Sequence, residues 1–90
     1  MVFVINNLKY DTDKMELISD KCKYQYTGQL TGIIVNAKDA HLFKSIKGNW
    51  LITYHDNNCG RALTEEEAKQ LLLNYDLEVY EKLFGKLEEA

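Results

Sequence analysis

His55, Asp56 and Cys59 fall within one short stretch of a 90-residue chain. With His41 or Cys22 alongside, they would offer the imidazole, carboxylate and thiolate donors that a tetrahedral zinc ion takes. Their spacing matches no zinc motif, and only His41 is expected from a neighbouring strand, so no metal site is assigned. The same stretch holds a Cys–His pair, Cys59 and His55, and a loop thiol near an imidazole is where an activated nucleophile begins. Neither an oxyanion hole nor an orienting third group accompanies it, so no catalytic residue is assigned. Gly28, Gly32, Gly48 and Gly60 are dispersed singly, which excludes phosphate-cradling and dinucleotide loops, and no cofactor is expected. Cys22 and Cys59 form no CxxC pair and are too few for a disulfide framework; they read as free thiols.

Binding chemistry has more candidates. Lysine and tyrosine interleave in Lys21-Cys22-Lys23-Tyr24-Gln25-Tyr26, a composition suited to stacking bases beside phosphate contacts. Strand alternation separates the two sets onto opposite faces, and the chain carries a net charge of −3, a poor match to a phosphate backbone. No direct nucleic-acid partner is expected. The acidity is concentrated: residues 61–90 carry eight acidic against four basic residues, whereas residues 1–60 carry six against seven. Glu65, Glu66, Glu67, Glu78 and Glu81, with Tyr75, make a candidate face for a partner protein with a basic surface. A second set, Lys23, Arg61, Tyr54 and His55, has the cations and rings to line an intersubunit pocket for a small nucleotide signal.

These residues need a frame, and the stretch from Leu42 to His55 supplies its centre. Two apolar, β-prone runs flank Lys47-Gly48-Asn49, a turn signal that predicts a β-hairpin anchored by Trp50. Before it, residues 2–5 form a first strand closed by Asn6-Asn7. Thr12 or Asp13 can cap a short helix over residues 14–19, Asp13 and Glu16 having capping-box spacing, with Met15, Leu17 and Ile18 on its buried side. Residues 21–26 alternate as a half-buried strand, Thr27-Gly28 turns the chain, and residues 29–36 return with Gly32 as a bulge or crossing point. Residues 36–39 turn again into strands at 40–46 and 50–55, completing an antiparallel meander. Residues 56–60 end the sheet as an irregular loop.

The remaining third is helical. Thr64 and Glu67 have capping-box spacing, and three carboxylates stand at the positive end of the helix dipole. Ala68, Leu71 and Leu72 share a face. Asn74-Tyr75-Asp76 breaks the helix, and Asp76 caps a second one in which Leu77, Tyr80, Leu83, Phe84 and Leu87 recur at helical steps until Gly85 weakens or ends it. The expected architecture is a single α+β domain spanning residues 1–90: an antiparallel meander of four to five strands, a short N-terminal helix, and a C-terminal helical pair packed on the sheet.

A chain of this length buries roughly 60–65% of the surface its unfolded form exposes, enough for one core. Its 46% hydrophobic and 28% charged content excludes wholesale disorder. It lacks proline altogether, so no polyproline docking motif exists. No apolar run is long enough for a membrane span, and the opening residues lack a basic start and a cleavage site, so the expectation is cytoplasmic with no membrane partner. The many apolar residues, among them Val2, Phe3, Val4, Ile5, Ile33, Ile34 and Tyr80, exceed what one small core needs and suggest a homodimer.

Tyr10-Asp11-Thr12, the hairpin Leu42…Lys47-Gly48-Asn49-Trp50, Leu63-Thr64-Glu65-Glu66-Glu67-Ala68 and Tyr80-Glu81-Lys82-Leu83-Phe84-Gly85, in that order, resemble a poorly characterised family of small proteins from bacterial, phage and mobile-element genomes. Many of its members carry a Gly-rich insertion after the hairpin, where this chain has only residues 56–61. The resemblance implies a mobile-element context, in which small acidic proteins often inhibit host defence, and it transfers no catalytic residue. The expected function is therefore a non-enzymatic phage or mobile-element inhibitor, anti-CRISPR-like, that contacts a host defence protein. The alternative is an oligomeric protein that sequesters a nucleotide signal, and a third reading is an enzyme using Cys59 and His55.

Overall fold

The computed structural model describes residues 1–27, 34–37 and 39–90. Its centre is a four-stranded antiparallel sheet of β3 (Glu16–Ser19), β6 (His41–Lys44), β7 (Trp50–Tyr54) and β8 (Cys59–Leu63), in the order β3-β6-β7-β8. Two further strand pairs stand apart from it: β1 (Val2–Ile5) with β2 (Leu8–Asp11), and β4 (Tyr24–Thr27) with β5 (Ile34–Ala37). Two helices, α1 (Glu65–Tyr75) and α2 (Leu77–Phe84), complete the chain.

The predicted hairpin forms, with Leu42 opposite Ile52 and Lys44 opposite Trp50. Gly48 takes φ +88°, and the turn is closed by Ser45 N–H donating to the Asn49 carbonyl at 2.8 Å and Asn49 N–H donating to Ser45 Oγ at 3.0 Å. Alternation then divides the sheet into two faces. On one, Leu42, Trp50 and Ile52 are buried with Ala68 and Leu72 of α1, together with Ala40, Cys22 and Tyr24, and the side chains of Val79, Tyr80 and Phe84 pack against them. On the other, Leu51 and Thr53 are fully buried, and Phe3 of the β1–β2 hairpin lies against Gly60 of β8.

The expected α+β class with an antiparallel sheet and a C-terminal helical pair stands, but three parts of the architecture differ. There is no N-terminal helix. Asp11 accepts from Asp13 N–H to cap a single 3-10 turn over Thr12–Lys14, after which Met15 is extended and residues 16–19 pair with β6. A two-turn helix has too few hydrogen bonds to offset its nucleation cost, whereas the open edge of β6 offers ladder partners at once. Leu17, expected inside, is half exposed as a result.

The sheet is also not a single meander. The 24–27 and 34–37 strands form their own two-stranded ribbon, and β3 takes the place beside β6. Thr27 and Ala37, expected in turns, belong to β4 and β5, and Asn36, expected both to end a strand and to open a turn, lies in β5; Gly28 of the expected turn, the 29–33 portion of the next strand with its Gly32, and Lys38 lie outside the described residues. Cys59 and Gly60 likewise begin strand β8 rather than an irregular loop. The turn before it holds His55, Asp56 and Asn57 at φ of 53°, 57° and 64°, a left-handed region that Asp and Asn tolerate better than most residues, and Thr53 Oγ1 donates to Asn57 Oδ1 at 2.6 Å.

The C-terminal helices follow the sequence at their ends except at Asp76, which stands at the N-cap position of α2 but makes no side-chain capping bond because its carboxylate is engaged by Ser19. Thr64 and Glu67 make both halves of the capping box, an arrangement worth about 0.5–2 kcal/mol. Gly85 terminates α2 at φ +101°. Within α2 the side packed on the core is partly buried Val79, Tyr80 and Phe84, while Leu77 and Leu83, and Leu87 beyond the helix end, are 42–48% exposed. The face is set by Trp50, whose ring centroid lies 6.3 Å from that of Phe84.

Candidate functional site

Three segments converge on a groove of about 350 Å³: Lys23 just before β4, the middle of β8 with Arg61, and the flank of α1 with Glu67, Gln70, Asn74 and Tyr75. Each arrives there for a local reason. The expected strand over 21–26 begins only at Tyr24, but burial of Cys22 and Tyr24 in the core leaves Lys23 between them exposed. Arg61 sits opposite Ile52 in the β7–β8 register. Ala68 and Leu72 fix the buried stripe of α1, so Gln70 and Asn74, one turn apart, fall on its exposed side.

Arg61 is held in place. Its Nη1 donates to Tyr24 Oη at 2.7 Å, its Nη2 lies 4.0 Å from Glu67 Oε2, and its guanidinium carbon stands 5.9 Å from the Tyr24 ring centre. Tyr24 is itself fixed by stacking on Tyr54, with centroids 4.6 Å apart, and His55 meets the Tyr54 ring edge-on at 5.2 Å. The hydrogen bond to Tyr24 favours the charged guanidinium and raises its pKa, with Glu67 adding to the effect. The result is a permanent cation, more than half exposed along its side chain, at a defined place.

The two predicted residue sets fare differently. Glu67 and Tyr75 line this groove, but Glu67 Oε1 also accepts from Thr64 N–H at 3.1 Å as part of the capping box. Glu65 and Glu66 are exposed in the first turn of α1. Glu78 stands at the start of α2 beside a different recess, next to Asp76 and Ser19, and Glu81 accepts from Leu87 N–H at 3.1 Å. The six residues are therefore not gathered at one groove. Of the second set, Lys23 and Arg61 share the groove, while Tyr54 and His55 stand behind it as the stack that supports Tyr24.

No family model matches the chain, and no curated protein or solved structure matches it. The family resemblance read from the motifs thus rests on those motifs alone.

Among the described residues no group of three or more His, Cys, Asp or Glu side chains is placed to hold a metal ion. His41, the register partner of Thr53, is partly buried at the start of β6, and among the described residues its buried Nδ1 has no hydrogen-bond partner. Cys22 is buried, and desolvation raises its pKa, with Asp76 adding to the rise and a hydrogen bond with Ser19 opposing it. That leaves a protonated thiol at neutral pH, not an activated nucleophile. Among the described residues no helix is long and apolar enough to cross a membrane.

Gln70 and Asn74 went unremarked in the sequence, although their i, i+4 spacing on the side opposite Ala68 and Leu72 is a readable signal of a shared polar flank. The partnership of Tyr24 with Arg61 had no such signal, since 37 positions separate them.

Proposed function

We propose that the protein is a non-enzymatic inhibitor of phage or mobile-element origin, anti-CRISPR-like, which acts in the host cytoplasm by covering a basic surface of a host defence protein. The observation that carries this reading is the start of α1: Glu65 and Glu66 are exposed on a helix end that the Thr64–Glu67 capping box holds rigid. A charged surface that is ordered before binding loses little side-chain and backbone freedom in the complex. Glu78, Glu81 and Tyr75 extend the contact along the helical pair. Self-association belongs to the same reading, because Val2 and Val4 stand on the outer face of the β1–β2 hairpin, 48% and 75% exposed.

The test is capture of partners from bacterial lysate on the immobilised protein, with and without nuclease, followed by charge reversal. One protein retained in both samples, released by raised salt, and bound about tenfold or more weakly by the Glu65→Lys/Glu66→Lys variant is the expected result. Glu67 is kept out of that variant because its reversal would break the helix cap. Unchanged affinity removes the α1 terminus from the interface, and retention lost after nuclease treatment replaces the reading with a nucleic-acid one.

A second reading, sequestration of a small nucleotide signal by an oligomer, is favoured by the sharing of one groove by Lys23 and Arg61. Ligand retained by the purified protein in native mass spectrometry, on an oligomeric species, is its test.

A further inference from the structure

The groove beside α1 runs against the charge of the rest of the chain. The protein is net −3, yet among the described lining residues Lys23 and Arg61 face a single carboxylate, Glu67. That carboxylate is already engaged at Oε1 by Thr64, and it approaches Arg61 only to 4.0 Å. Arg61 is meanwhile fixed by the Tyr24 hydroxyl at 2.7 Å, so its fork is oriented before any ligand arrives. A pre-positioned guanidinium with a lysine beside it is a phosphate-binding arrangement.

The far end of the groove has different chemistry. Gln70 and Asn74 each present an amide, donor and acceptor together, from successive turns of α1. Tyr75 closes that end with its ring 36% exposed as a residue. Paired donors and acceptors beside an aromatic face suit the edge and face of a nucleobase. From Glu67 to Tyr75 the helix rises about 12 Å, a span that a phosphate, a pentose and a base laid end to end can fill. The volume of about 350 Å³ sits near the lower bound of small-molecule sites, roughly 300 Å³, which matches one nucleotide and not two.

We propose that this groove binds a nucleoside monophosphate, with the phosphate on Arg61 and Lys23 and the base against Gln70, Asn74 and Tyr75. The inference rests on the small-molecule reading above, but it locates the site within one chain instead of between subunits.

Amide-resolved NMR titration of the full chain at low salt tests it, with adenosine monophosphate, uridine monophosphate, adenosine and inorganic phosphate as separate probes. At least one monophosphate is expected to shift the amides of Lys23, Arg61 and residues 67–75 saturably, and more tightly than phosphate or adenosine alone. Lys23→Gln, which leaves the Tyr24–Arg61 bond in place, and Arg61→Gln should each weaken that binding by about tenfold with the spectrum still dispersed. Absence of saturable shifts with both monophosphates, an equal response to inorganic phosphate, or indifference to Lys23→Gln overturns the proposal. Native mass spectrometry of the same sample separates the two ideas: one ligand per chain together with groove shifts supports the site on a monomer or a dimer alike, whereas an oligomer carrying ligand without groove shifts overturns it in favour of the intersubunit reading.

Discussion

Ser19, Cys22 and Asp76 form a buried polar knot where β3 meets the junction of the two helices. Ser19 Oγ donates to Asp76 Oδ2 at 2.6 Å and accepts from Lys21 N–H at 3.1 Å, and all three side chains are at most 6% exposed as residues. Asp76 stands at the N-cap position of α2, as its sequence position predicts, but its carboxylate makes no capping bond and is spent on Ser19. Cys22 carries the pH consequence. Burial raises its pKa above the ordinary 9.0, so the unfolded thiol ionises first and the folded one later. The stabilisation from this group is complete below about pH 9 and is lost as pH rises through the raised folded value. Urea unfolding is therefore expected to show a decline in stability above pH 9 that is smaller in Cys22→Ala; equal declines would remove the thiol from the account. In the folded protein an alkylating reagent should modify partly exposed Cys59 well before Cys22.

At the scale of elements, the contact between the β1–β2 hairpin and β8 depends on a missing side chain. A Cβ built on Gly60 would stand 2.9 Å from Phe3 Cδ1 and 3.0 Å from Cγ, too close for a ring held at its root to evade. Gly60→Ala should therefore destabilise the fold by about 1–3 kcal/mol, the usual range for overpacking. Phe3→Leu in the same chain should recover part of that loss. A double-mutant cycle by denaturant unfolding checks it, and additive effects would mean that the two residues do not meet. The Asn6-Asn7 turn that closes this hairpin has both residues at positive φ, 52° and 65°, the two-residue geometry that suits the twist of antiparallel strands.

For the whole molecule, helices cover one face of the central sheet and a hairpin lies on the other. That arrangement leaves the outer face of β1 apolar at Val2 and Val4, with Lys9 and Asp11 opposite them in register. Light scattering at micromolar concentration is expected to give twice the chain mass, and Val4→Lys should return it to the monomer value by placing a charge in the contact. A wild-type monomer would end the dimer proposal without touching the groove, which lies on the helical side of the sheet.

Local chemistry determined those features whose energetics are complete within a few residues: the Lys47-Gly48-Asn49 hairpin, the capping box at Thr64, the stop at Gly85, and the inward turn of Cys22 and Tyr24 against Lys23. Each rests on a turn, a cap or a period that neighbours in sequence satisfy together. Tertiary structure decided the rest. Residues 16–19 have apolar content that serves either a short helix or a strand, and the vacant edge of β6 chose the strand. Residues 59–63 have weak β preference, yet Trp50–Tyr54 had a second edge to pair and Leu63 could lie opposite Trp50. The candidate site shows the same division. Lys23 and Arg61 were recognisable as cations suited to a phosphate, but their meeting beside Gln70 and Asn74 exists only because the sheet and α1 bring segments distant in the chain to one groove.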